Sequence, residues 1–91
     1  MYSFRVRSNK RHEIISSRVS QILRDERRKR GLSMTETAER AGLSQQMVSY
    51  VERGLRNPTL ETMLRIADAL EIDLASVIQR ASRTVAKGSV R

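Results

Sequence analysis

A glycine at position 42 interrupts a stretch that otherwise has helical spacing, ERAGLSQQMVSYVERG over residues 39–54. Glycine adopts positive φ without steric cost, so Gly42 predicts a tight turn between two short helices. Helices joined by so short a turn cross at a steep angle and need small residues at their contact. The helix before the turn has the small residues Ala38 and Ala41, and the helix after it has the aliphatic residues Val48 and Val51. This combination predicts a helix-turn-helix unit.

The remaining segments also have the spacing of amphipathic helices. Gly31 predicts the end of a first helix, and Ser33 with Glu36 forms a capping-box pattern for the second. A fourth helix is predicted after the LRNP loop, with an apolar stripe of Leu60, Met63, Leu64, Ala67 and Leu70. Short loops between five helices predict a compact all-α domain over residues 13–81.

The net charge of +8 comes from the two ends of the chain. Residues 1–12 and residues 79–91 each carry four cations and no acid, whereas the centre carries ten of each sign. We therefore expect a basic N-terminal arm over 1–12 and a basic C-terminal tail over 82–91. Basic ends suit a polyanion such as nucleic acid, and the alternative is that they are solvated ends that keep the protein soluble.

The residue types needed for catalysis do not come together in this chain. His12 is the sole histidine, the acids are spread along helix surfaces, and no glycine-rich phosphate loop occurs. There is no cysteine, and no apolar run approaches the ~20 residues of a membrane span. We expect a cytoplasmic protein, nucleoid-associated when bound to DNA, that is not an enzyme and uses no metal or cofactor.

The third helix has a polar outward face. If Met47, Val48 and Val51 face the core, helical geometry places four polar residues on the outer face, namely Gln46, Ser49, Tyr50 and Arg53. The major groove presents hydrogen-bond donors and acceptors, and glutamine can pair with adenine through two bonds. The alternative is an ordinary solvated helix face, but the helix-turn-helix context favours DNA reading.

The segment GLSMTETAERAGLSQQMVSYVERGLRNPTLETMLRIADALEIDL resembles the DNA-binding domain of phage repressor and Cro proteins, the XRE family. The resemblance covers roughly residues 18–80 and implies a five-helix, lambda-repressor-like fold whose third helix reads DNA. It implies base contacts by Gln45, Gln46, Ser49 and Tyr50. It implies phosphate contacts by Met34, Thr35, Arg53, Arg56 and Asn57.

The resemblance further implies a structural ion pair between Arg27 and Glu52. Three positions depart from the family pattern. Met34 stands where glutamine is usual, and Thr37 and Glu26 stand where leucine is usual. Thr37 and Glu26 predict a less extensive packing contact between the first and second helices.

These features predict a sequence-specific regulator of transcription that binds double-stranded DNA. We expect a repressor, or a protein like the restriction–modification controllers, acting as a homodimer on an inverted-repeat operator. The dimer interface is predicted on the fifth helix at Leu74, Val77 and Ile78, with the alternative that this stripe closes the monomer core. The alternative function is an antitoxin that binds a toxin and regulates its own operon; RNA binding by the basic ends is a weaker third.

Overall fold

A computed structural model describes the backbone of residues 9–55 and 57–90 and the side chains of residues 10–55 and 57–83. Within these ranges the chain forms five helices and no strand, as predicted. They are α1 (Asn9–Lys29), α2 (Met34–Ala41), α3 (Gln45–Glu52), α4 (Leu60–Ala69) and α5 (Leu74–Val90). The last four residues of the expected N-terminal arm belong to α1, and the backbone of residues 82–90 continues α5. Residues 1–8, Arg56 and Arg91 lie outside the described residues.

The core is aliphatic and lies where α1, α3, α4 and α5 meet. α1 packs mainly against α5, and α2 packs against both α3 and α4. The largest side chains that are fully buried in this core include Leu23, Ile66, Leu70, Val51 and Val77. Burial of aliphatic area is the main stabilising contribution in a domain of this size.

The turn after α2 has the geometry predicted for Gly42. Gly42 has φ 70° and ψ 34° in the left-handed region. Its N–H donates to the carbonyl of Glu39, and the N–H of Leu43 donates to the carbonyl of Ala38 at 2.9 Å. These two bonds form a Schellman cap, which satisfies carbonyls left open at the helix end. α3 then begins after Ser44, whose hydroxyl accepts from the N–H of Met47 at 3.0 Å.

The apolar stripe predicted for α4 is buried at one end and exposed at the other. Ala67 and Leu70 are buried, but Leu60 is 60% and Leu64 is 44% exposed. Ile66, which the stripe omitted, is fully buried. Helical spacing shows which residues share a face, but not which part of that face a neighbouring helix covers.

Two of the three residues predicted for a dimer interface belong to the core of a single chain. Leu74 is 5% and Val77 is 1% exposed, and both pack with α1 and α4 residues. The interface assignment of Leu74 and Val77 is therefore corrected, because α1 already covers this side of α5. Ile78, at 37% exposure, stays on the surface.

Thr37 and Glu26, the two residues at positions where the resemblance leads us to expect leucine, are both buried. Thr37 is 0% exposed, and its hydroxyl donates to the carbonyl of Ser33 at 2.9 Å. Glu26 is 6% exposed and pairs with Arg30, with Lys29 at 3.4 Å and with Arg80 at 3.3 Å. A buried polar group is tolerated when it is hydrogen-bonded, and the contact with Arg80 also joins the end of α1 to α5.

Stability should depend on the charge of Glu26. A hydrogen bond from Arg30, with further bonds from Lys29 and Arg80, holds the pKa of Glu26 below its usual 4.5, against the opposing effect of burial. A lowered pKa in the folded state means that the unfolded state takes up this proton first as the pH falls. The stabilisation is thus complete above about pH 4.5 and is lost as the pH falls through the lowered pKa.

Urea denaturation of the wild type and of Glu26→Gln between pH 7 and pH 3 measures this contribution. The free energy of unfolding should differ most at neutral pH, by about 1.5–3 kcal/mol, the usual range for hydrogen bonds to charged groups. This difference in the free energy of unfolding should shrink in acid, because Glu26 of the wild type then loses its charge. Every other carboxylate is common to both proteins and does not contribute to the difference. Two curves that stay parallel down to pH 3 would contradict the assignment.

Candidate nucleic-acid interface

The outward face of α3 contains the side chains that the sequence placed there. Gln45 and Gln46 are exposed in the first turn, Ser49 and Tyr50 are half-buried, and Arg53 is exposed just after the helix. All five can form hydrogen bonds. The face is therefore polar along its whole length, while Val48 and Val51 on the opposite side are buried.

Gln46 and Tyr50 are joined on this face. The amide nitrogen of Gln46 donates to the hydroxyl of Tyr50 at 2.7 Å, one helical turn away. Such a bond restricts the rotamers of both side chains before any ligand arrives, and so reduces the entropy lost on binding. The carbonyl oxygen of the Gln46 amide can accept a hydrogen bond from a ligand.

The beginning of α2 lies beside the beginning of α3. The hydroxyl of Thr35 donates to the amide oxygen of Gln45 at 3.1 Å, so Gln45 has its NH₂ group to offer outward. Ser33 and Glu36 form the predicted capping box: the Ser33 hydroxyl accepts from the N–H of Glu36 at 3.0 Å, and the carboxylate accepts from the N–H of Ser33 at 2.9 Å. Hydrogen bonds from Ser33, first of all from its backbone N–H, hold the pKa of Glu36 below its usual value.

The ion pair that the resemblance implied is present beneath this face. Arg27 Nε donates to Glu52 Oε2 at 2.7 Å, and Arg27 Nη2 donates to Glu52 Oε1 at 3.1 Å. The third nitrogen, Nη1, donates to the carbonyl of Leu32 at 2.7 Å. The side chains are 9% and 1% exposed. This planar, two-point contact ties the last turn of α1 to the last turn of α3 and sets the position of the polar face.

Arg65 makes a bridge that the sequence does not predict. Its Nη1 donates to the carbonyl of Ala41 at 3.3 Å, and two other nitrogens pair with Glu61 at 2.9 and 3.2 Å. α4 therefore supports the carbonyl end of α2, next to the turn. The four-residue spacing of Glu61 and Arg65 was the available signal for the pair, but nothing local indicates Ala41.

The other predicted phosphate contacts lie at the edges of this surface. Met34 is half-buried and Thr35 is exposed at the start of α2, and Asn57 is exposed in the loop before α4. Arg56 lies outside the described residues. In the part of the chain that the structure describes, no group of three or more histidines and acids could hold a metal ion, and no helix is long and apolar enough to cross a membrane.

Comparisons with known proteins agree with this architecture. Residues 23–77 match the family described as Helix-turn-helix. The chain is 40% identical over 58 residues to the uncharacterized HTH-type transcriptional regulator y4dJ of Sinorhizobium fredii, an alignment that covers 64% of this chain and 75% of that protein. It is 33% identical over 60 residues to the immunity repressor protein of Bacillus phage phi105, covering 66% of this chain but 42% of the repressor.

A solved structure shares the fold. It is a crystal structure of a mutant of the restriction–modification controller protein C.Esp1396I, with a TM-score of 0.71 and 23% identity over 80% of this chain and 95% of that one. The chain belongs to the helix-turn-helix family. Its fold, its outward polar helix and its relatives together define a DNA-binding regulator of transcription.

Proposed function

We propose that this protein is a sequence-specific repressor that binds an inverted-repeat operator as a homodimer in the cytoplasm. The observation that carries the proposal is the outward face of α3, where the Gln46 amide is held by Tyr50 and the Gln45 amide is held by Thr35. In this proposal α3 enters the major groove. Bases are contacted by Gln45, Gln46, Ser49 and Tyr50.

Phosphate contacts flank α3 on both sides. At the start of α2, Met34 and Thr35 offer backbone N–H groups to a phosphate oxygen, next to the Glu36 carboxylate that already lies at this helix end. Beyond the other end of α3, Arg53 is an exposed cation, and the Arg56–Asn57 loop is proposed to hold the same backbone strand. Contacts of this kind set the register of a protein on the duplex without reading its sequence.

The dimer is proposed because four side chains on one short helix cannot specify a long site. Two-fold symmetry doubles the number of base contacts, and the two recognition helices would then lie about 34 Å apart, one turn of DNA. Exposed Ile78 on α5 is the residue of the predicted stripe that remains available for an interface. The basic ends over 1–12 and 82–91 are proposed to add phosphate contacts.

Selection of bound sequences from a pool of random duplexes tests the function. We expect enrichment of an inverted repeat whose half-site centres lie about 10 base pairs apart. A pool that shows no enriched sequence after several rounds would contradict sequence-specific binding.

The role of Gln46 can be tested on the selected operator. Gln46→Ala should lose about 1–3 kcal/mol of binding free energy and relax the preference at one base pair of each half-site, because a two-point contact is lost. Binding to an unrelated duplex should change little. The matched control is Gln79→Ala, which removes an exposed glutamine from α5. Equal losses on both duplexes would mean that Gln46 does not read a base.

A further inference from the structure

A small polar pocket lies between the middle of α1 and the end of α3. Its volume is about 160 Å³, and it is lined by Ser17, Ser20, Gln21 and Arg24 of α1 and by Arg53 after α3. Of these residues Arg53 alone belongs to the interface described above. The four α1 residues therefore form a surface outside the proposed DNA contacts of α2, α3 and the loop before α4.

The groups around this pocket are suited to an anion. Two guanidinium groups and two hydroxyls can donate hydrogen bonds into it. The amide oxygen of Gln21 accepts a bond from Arg18, so its NH₂ group is the part that can donate to a ligand. Glu52 also reaches the lining, but its side chain is 1% exposed and its charge is compensated by Arg27.

Arg24, which lines the pocket, has a donor without a partner in the described part of the chain. Its Nε is buried and has no hydrogen-bond partner among the described residues. A buried N–H without a partner destabilises the fold, so an acceptor placed next to it would recover part of that cost. Arginine suits phosphate because the donors of its guanidinium group are arranged as a fork, and Arg24 lines the pocket.

The position of the pocket indicates which phosphate it would meet. Gln46, Tyr50 and Arg53 follow each other at helical spacing, so the pocket begins where the polar face of α3 ends. An eight-residue helix is about 12 Å long, and the major groove is about 12 Å wide. With α3 lying across the groove, its last turn comes close to a sugar–phosphate strand.

We propose that this pocket binds a backbone phosphate of the operator, with Arg24 and Arg53 as the charged contacts and Gln21 and the two serines as further donors. The proposal rests on the proposed DNA-binding function and extends the contact surface onto α1. Because a phosphate contact does not depend on sequence, its effect can be measured on any duplex.

The test compares Arg24→Gln with the wild type by fluorescence anisotropy on the operator and on an unrelated duplex between 50 and 200 mM salt. Each lost phosphate contact lowers the slope of log affinity against log salt by about 0.9, so the wild type should lose about 3.5-fold more affinity over this range than the variant. The matched control is Arg40→Gln, which removes an exposed charge from the last turn of α2. Equal slopes for the two variants would overturn the proposal.

A second measurement identifies the phosphate. Operators with one neutral methylphosphonate linkage should bind the wild type less well at one position per half-site, and Arg24→Gln should be insensitive to that same substitution. If the loss from Arg24→Gln and the loss from the neutral linkage add at every position tested, the proposal would also be overturned. If the wild type showed no sequence preference while the Arg24 effect persisted, the proposed operator function would fail and the phosphate pocket would stand.

Inorganic phosphate distinguishes a DNA ligand from a free anion. Millimolar phosphate that raises the melting temperature of the wild type but not of Arg24→Gln, with no Arg24 effect on either duplex, would assign the pocket to a free anion and overturn the DNA contact. A wild type that binds no duplex at all would overturn both proposals.

Discussion

Replacing Glu52 with alanine is expected to lower the free energy of unfolding by about 3–5 kcal/mol, the range for breaking a buried ion pair. The reason is that Arg27 would keep its charge at 9% side-chain exposure, and among the described residues its side chain would keep one partner, the carbonyl of Leu32. In a domain of this size the melting temperature should fall by more than about 12 °C. Thermal unfolding followed by circular dichroism measures both quantities.

Glu61→Ala is the matched control for this experiment. Glu61 also pairs with an arginine through two bonds, but its side chain is 73% exposed and that of Arg65 is 47% exposed. Solvent screens such a pair, so the loss should stay below about 1 kcal/mol. A Glu52→Ala variant that melts no lower than Glu61→Ala would contradict the role of the Arg27–Glu52 pair as a buried structural link.

Replacing Val77 with aspartate is expected to leave the chain largely unfolded at 25 °C. Val77 is 1% exposed, and its neighbours in the core are aliphatic. An isolated carboxylate there would cost several kcal/mol or force the core open, against a total stability of about 5–15 kcal/mol. Far-UV circular dichroism and urea denaturation measure the outcome.

Ile78→Asp separates the core from the proposed interface, because it places the same charge one position later at a site that is 37% exposed. This variant should fold normally, and sedimentation equilibrium should show a weaker dimer than the wild type forms. A folded Val77→Asp variant that is monomeric would show that α5 presents Val77 to a partner rather than to its own core.

The helix-turn-helix unit could be predicted from the sequence because its signals are local. Gly42, the Ser33 capping box and the Ser44 cap each act within one or two helical turns, and the structure has all three. The two-alanine contact and the polar face of α3 follow from the same short segment. The ion pair between Arg27 and Glu52 was predicted from the family resemblance, since no local pattern connects residues 25 positions apart.

The errors came from relations between distant parts of the chain. An apolar stripe on α5 can pack against a second copy of the protein or against the core of its own chain. The burial of Leu74 and Val77 depends on where α1 lies. Glu26 is tolerated inside chiefly because Arg30 and Lys29 at the end of its own helix bind it, and Arg80 adds a contact from α5, 54 residues later. The pocket beside Arg24 likewise exists because α1 and the end of α3 meet there, which no single segment indicates.

Sequence-specific recognition of duplex DNA is tested most directly by the ratio of two affinities of the wild type at 150 mM salt. One is measured on the duplex selected from a random pool, and the other on a shuffled duplex of equal length and base composition. A specific regulator should bind the selected duplex at least ~10³-fold more tightly. Affinities that agree within about threefold would mean that sequence-independent phosphate contacts account for all of the binding. That result would contradict the proposal that α3 reads an operator.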